Sequence, residues 1–171
     1  MPKPRARYWD AGPFIAWLKQ ETRDDRVSRC EPVIRAAEKG QMLLVTSAIA
    51  LVEVVKLDEK GARVNIGSEA EAKISGFFRQ PYISVRDYDF RTADLSRRLI
   101  WDYDLSTRDA IHAATALRWR LTQLDTFDGG LLALDGKLGS PILRITVPDL
   151  PQQLELAFSA EPVTEDDEGP E

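Results

Sequence analysis

Five short apolar runs mark out the chain: "ARYW" from Ala6, "QMLLV" from Gln41, "YISV" from Tyr82, "QLDTF" from Gln123 and "PILRITV" from Pro141. Between them lie stretches whose apolar residues recur at helical spacing. Runs this short, alternating with helices, predict an α/β fold with a mainly parallel central sheet. No internal repeat is visible.

Local signals fill in the pattern. "ARYWDAGPFIAWL" reads as a strand ending at Asp10, a Gly-Pro break, and a helix with Phe14, Ile15, Trp17 and Leu18. "PVIRAAEKG" reads as a helix with Pro32 in its first turn and Gly40 at its C-terminal cap. After "QMLLV", Thr46 or Ser47 is expected to cap a helix that carries Glu53. The stretch 58–80 is polar and helical in its second half. A further helix is expected with apolar positions at Phe90, Ala93, Leu95 and Leu99. "LSTRDAIHAATAL" forms the next, and a Gly129-Gly130 break precedes a short one after the fourth strand.

At 171 residues the chain has the length of one domain with a substantial core. Its single cysteine, Cys30, excludes an internal disulfide and a cysteine-rich zinc site, and fits a reducing compartment. No apolar run is long enough to span a bilayer, and the basic start lacks the apolar segment of a signal peptide. A cytoplasmic protein with no membrane association is expected. The formal net charge of −5 is concentrated at one end: residues 161–171 hold six acids and no Lys or Arg, and setting them aside leaves 23 basic against 22 acidic residues. The expected organisation is therefore one domain over residues 1–150 and a C-terminal extension over 151–171 that ends in a disordered acidic tail. The tail is either a solvating appendage or a competitor for a nucleic-acid groove.

In a parallel sheet, ligands collect at the carboxyl ends of the strands. Asp10 follows the first strand, Glu53 lies in the helix after the second, Asp128 follows the fourth, and Asp109 sits in the first turn of a helix that precedes it. Each can face the same sheet edge. Taken singly, any of them is a plausible structural residue; Asp109, for one, suits a helix start, where the dipole favours it by about 0.3–1 kcal/mol. Packed together they repel by about 4 kcal/mol per pair at 4 Å and an effective dielectric near 20, so a cation must sit among them. With no cysteine cluster and one histidine, oxygen ligands point to Mg2+ or Mn2+. Such an ion can activate water and polarise a phosphodiester.

The segments "YWDAGPFIAWL", "VTSAIALVEV", "LSTRDAIHAATAL" and "LDTFDGGLLAL" resemble, in order and spacing, the four signature segments of PIN-domain nucleases. Size and the lack of an appended domain resemble the VapC-like toxins of type II toxin-antitoxin pairs. The resemblance covers roughly residues 6 to 147. It implies a PIN-like three-layer α/β/α fold and a metal-dependent endoribonuclease in which Asp10, Glu53, Asp109 and Asp128 hold one or two ions that activate water against RNA. It makes Asp10 and Asp109 the central ligands, gives Thr126 an orienting hydroxyl, and implies a small antitoxin partner and a homodimer. Two departures stand out. Ala11 replaces the Ser or Thr common after Asp10, and Gly129-Gly130 follow Asp128 where a longer side chain is common, which suggests a looser loop with Asp125 as a possible stand-in.

Other residues admit two readings. His112, one turn after Asp109, is a base or ligand, or it completes helix packing; packing is the better reading, since metal-activated water needs no imidazole. Arg108, Arg97 and Arg98 are candidate phosphate contacts, of which Arg97 and Arg98 are adjacent and diverge on a helix. Trp9, Trp17, Trp101 and Trp119 are candidate base-stacking surfaces, with Trp17 better placed in a core. Asp10-Ala11-Gly12 lacks the second acid of haloacid-dehalogenase-type phosphatases, and the first strand ends in one acid where receiver domains need a pair. The competing function is a PIN-like module that binds RNA or a protein without cutting.

Overall fold

The computed structural model describes residues 5–20, 25–55 and 68–150. The expected acidic tail and the polar stretch before Ser68 lie outside the described residues. Five strands, β1 (Arg5–Trp9), β2 (Met42–Ser47), β3 (Ile83–Arg86), β4 (Gln123–Asp125) and β5 (Arg144–Thr146), form one sheet in the order β3-β2-β1-β4-β5. Every adjacent pair is parallel.

Helices cover both faces, as an all-parallel sheet requires. The chain also carries α1 (Ala11–Lys19), α2 (Arg26–Glu38), α3 (Ile49–Glu53), α4 (Ser68–Phe78), α5 (Phe90–Tyr103), α6 (Thr107–Arg118) and α7 (Gly129–Leu132). Alternation along the strands divides the core in two. Trp9, Leu44 and Ile83 pack with Phe14, Val33, Ile34 and Phe78 of α1, α2 and α4. Tyr8, Val45, Leu124 and Ile145 pack with α5, α6 and α7 on the other face. There α6 buries Ala110, Ala113, Ala114 and Ala116 completely. Four small side chains in succession let that helix lie close to the sheet, and this closeness brings Asp109 and His112 within reach of the strand ends.

Topology fixes where a site can form. The first three strands run outward in one direction from β1, and the chain then returns to add β4 and β5 on its other side. The crevice at this reversal, between the carboxyl ends of β1 and β4, is the usual place for a ligand in an open α/β sheet. Asp10 follows β1 there, and Thr126 to Asp128 follow β4.

Several local expectations shift. Gly12-Pro13 does not break the chain: α1 runs through both, because a proline in the first helical turn gives up an N–H that has no intrahelical partner anyway. Asp10 caps that helix through the Gly12 N–H. Thr46 and Ser47 belong to β2, and Ala48 is the residue that precedes α3. Pro32 sits inside α2, which begins six residues earlier, at Arg26. Phe90 is 84% exposed and not part of the core.

Candidate active site

Asp10, Glu53, Asp109 and Asp128, drawn from four separate parts of the chain, line one cleft of about 360 Å3 together with Arg26, Arg108, His112 and Phe127. Asp10 lies deepest, only 6% exposed. The Gly12 N–H reaches its Oδ1 at 3.0 Å, and Thr126 Oγ1 donates to its Oδ2. Thr126 in turn accepts from the Asp128 N–H at 2.9 Å, so the threonine ties the ends of β1 and β4 together. A Cβ built at Gly12 would stand 3.2 Å from Asp10 Oδ1, so the close approach of backbone to carboxylate favours glycine. Ala11 therefore leaves no gap in the bonding of Asp10.

Burial is the main influence on the Asp10 carboxyl, pushing it from 3.8 up to about 6. The His112 ring, Thr126 and Gly12 pull it down, and nearby Glu53 raises it. Both oxygens of a buried acid are thus taken by neutral donors.

The other three acids are engaged at their edges. Asp109 is the third residue of α6, and its N–H bonds the cap hydroxyl of Ser106 at 3.2 Å while that hydroxyl donates to Asp109 Oδ2 at 2.6 Å. Asp128 caps α7 through Oδ1, which accepts from Gly130 and Leu131 at 2.8 and 3.1 Å. A Cβ at Gly130 would sit 3.0 Å from that oxygen, so Gly130 lets its N–H hold Asp128 and does not loosen it. Glu53 ends α3 with Oε2 2.7 Å from His112 Nε2 and Oε1 3.7 Å from Arg108 Nη1.

His112 is 2% exposed and also lies 2.7 Å, through Nδ1, from the Tyr8 hydroxyl, whose oxygen accepts the Ser47 N–H at 3.1 Å. Burial, reinforced by the charge on Asp10, holds the Tyr8 phenol above its ordinary range, so it keeps its proton. The helix-packing reading of His112 is thus incomplete: the ring is buried and also grips a cleft carboxylate.

Asp125 is no stand-in for Asp128. It pairs in register with Trp9 on the α1 and α2 side of the sheet, where Oδ1 takes Arg7 Nη2 and Gln123 Nε2, each at 2.9 Å, and Oδ2 takes Trp9 Nε1 at 2.8 Å. Of the proposed phosphate contacts, only Arg108 lines the cleft. Arg97 and Arg98 pair with Asp94 on α5, and Arg97 stacks on Trp101. None of the four tryptophans lines the cleft. Sequence reasoning missed Arg26, whose guanidinium lies 4.9 Å from the Phe127 ring centre; it sits in a polar stretch with no pattern to single it out.

The donor set suits a hard divalent ion, since the acids offer oxygen and no sulfur lines the cleft. Among the described residues, no three His, Cys, Asp or Glu side chains stand close enough to enclose an ion. An ion held here would compete with the internal bonds of Glu53, Asp109 and Asp128.

The family model described as PIN domain matches residues 7–137, which takes in all four acids. The chain belongs to the PIN domain family. Its PIN fold is similar to that of VapC20 of Mycobacterium tuberculosis, a sarcin-ricin loop cleaving toxin, at 17% identity and a TM-score of 0.54, over 71% of this chain and 89% of that one. It is similar too to a chain of a toxin-antitoxin complex from Klebsiella pneumoniae, at 20% identity and a TM-score of 0.50, over 71% of this chain and 86% of that one. A comparison with curated proteins finds no match. Among the described residues of this PIN-domain chain, no helix is long and apolar enough to cross a membrane.

Proposed function

We propose that this chain is a Mg2+- or Mn2+-dependent endoribonuclease and the toxin of a toxin-antitoxin pair. The observation that carries the reading is the gathering of four acids from four chain segments in one cleft at the topological reversal of the sheet, with the deepest of them buried. Likeness of fold to a toxin that cleaves RNA and to a toxin-antitoxin complex supports it. The nuclease unit is residues 1–150, with 151–171 as an extension. Its substrate is cellular RNA in the cytoplasm, its partner a small antitoxin, and its assembly a homodimer.

Asp10, Glu53, Asp109 and Asp128 are the residues that would hold the metal. When bound, it supplies Lewis acidity that lowers the pKa of water and offsets charge on the phosphodiester. Thr126 and the Gly12 N–H fix the Asp10 carboxylate, so that its orientation is set before substrate arrives. Arg108 and Arg26 place positive charge at the cleft for the phosphates. The depth of Asp10 excludes bulk water from one side of the reacting centre.

One observation favours a PIN module that binds without cutting, namely that no three of these donors converge as they stand. Incubating cellular RNA with the purified protein, with Mn2+ or Mg2+ and with chelator, separates the two readings. Wild type is expected to cut only with metal and Asp109→Asn not at all. RNA bound but intact under every condition would establish the module.

A further inference from the structure

We propose that His112, backed by Tyr8, is a positioning residue that fixes Glu53 so that a single carboxylate oxygen, Oε1, serves the cleft; this rests on the ribonuclease reading. The hydrogen-bond chain runs through four elements: the Ser47 N–H of β2, the Tyr8 hydroxyl of β1, the His112 ring of α6 and the Glu53 carboxylate of α3.

Donor and acceptor chemistry gives this chain one direction. A backbone N–H only donates, so the Tyr8 oxygen accepts from Ser47. At the other end a carboxylate only accepts, so Nε2, 2.7 Å from Glu53 Oε2, carries the ring proton. In that tautomer Nδ1 accepts, and the Tyr8 phenol, 2.7 Å away, donates to it. Thr46 and Thr115 beside Tyr8 send their protons to the Trp9 and Ile111 carbonyls, so the Ser47 N–H is the donor to the Tyr8 oxygen.

Glu53 needs such a hold. It is the last residue of a five-residue helix in which Ala50 is the buried side chain, so α3 alone anchors it weakly. Arg108 approaches Oε1 at 3.7 Å, beyond hydrogen-bond distance, and is 73% exposed, so it screens the charge without anchoring the carboxylate. A buried imidazole needs both ring nitrogens bonded, whereas a leucine would fill its volume without burying polar atoms; what the ring adds here is a donor aimed at a cleft carboxylate. Fixing a metal-binding carboxylate through a partner outside the metal's own ligands is the role such a bond plays in metal sites generally.

His112 is the only histidine in the chain, so its ring resonances in a long-range 1H–15N spectrum need no assignment. In mildly alkaline buffer the expected spectrum is that of the Nε2–H tautomer, with Glu53→Gln moving the Nε2 signal and Tyr8→Phe the Nδ1 signal. An Nδ1–H tautomer, or an Nε2 signal indifferent to Glu53→Gln, overturns the proposal.

Function is read by kcat on RNA and by Mn2+ affinity from calorimetry. His112→Leu should lower each by about 10–100-fold. His112→Gln, which keeps an N–H, should restore part of the loss. Added to Glu53→Gln, His112→Leu should cause no further loss of Mn2+ affinity; a full additional loss would show that it acts elsewhere and sink the proposal. Should the wild type cut no RNA, the ribonuclease reading falls by itself, and the spectrum with the metal affinities still decides whether His112 positions Glu53.

Discussion

The Asp10 carboxylate is buried, bonded to neutral donors and raised to about 6 from 3.8 by that burial. A folded-state value above the unfolded one means that the folded protein holds the proton more tightly. Between about pH 4 and pH 6 the native state therefore binds more protons than the unfolded chain, and stability falls as pH rises through that window. By neutral pH the loss is about 3 kcal/mol in the absence of metal. Asp10→Asn removes the charge and keeps the shape. In chelator at neutral pH it should melt at a higher temperature than wild type, with the difference shrinking toward pH 4. With Mn2+ the order should reverse, because an ion that binds only the folded state stabilises wild type alone. The same variant should be inactive on RNA. A melting temperature lower than wild type at neutral pH without metal would mean that the carboxylate is not strained by its burial.

At the scale of elements, α6 brings Arg108, Asp109 and His112 to the site, and its N-terminus can be tested alone. Ser106 caps it and bonds Asp109 in both directions. Ser106→Ala should lower stability by about 1 kcal/mol, measured by urea denaturation, while leaving α6 in place. How much of this was legible beforehand follows from what each signal depends on. Strand and helix alternation is local, so all five strands and the parallel sheet could be read from apolar runs. Three of the acids follow a strand or open a helix, positions readable in sequence, while Glu53, at the end of α3, stood out through the resemblance of its segment. Asp125 against Asp128 was not decided by position but by face: Asp125 alternates with Leu124 and so turns to the Trp9 side. The grip of His112 on Glu53 depends on how closely α6 lies on the sheet, a packing distance that the alanines permit but no pattern states. Arg26 reaches the cleft as the first residue of α2, beside Phe127, a juxtaposition that spacing does not encode.

The molecule as a whole offers RNA little long-range attraction. Its net charge is −5, and the cleft itself sets four acids against two arginines, Arg26 and Arg108. Phosphate entering such a cleft meets net repulsion unless a divalent ion has first altered the balance. RNA binding should therefore depend on metal, and Ca2+ in place of Mg2+ should support binding of a short single strand that chelator abolishes. With Ca2+ held saturating, two arginine contacts predict a shallow dependence on monovalent salt. The slope of log affinity against log salt should be about −1.4, from about 0.7 per neutralised phosphate on a single strand. Arg26→Gln or Arg108→Gln should each reduce it to about −0.7 and weaken binding similarly for all sequences. A slope several times steeper, unchanged by either substitution, would place the RNA on another surface, with the arginines of α5 and α6 and the exposed Trp101 and Trp119 the first to examine.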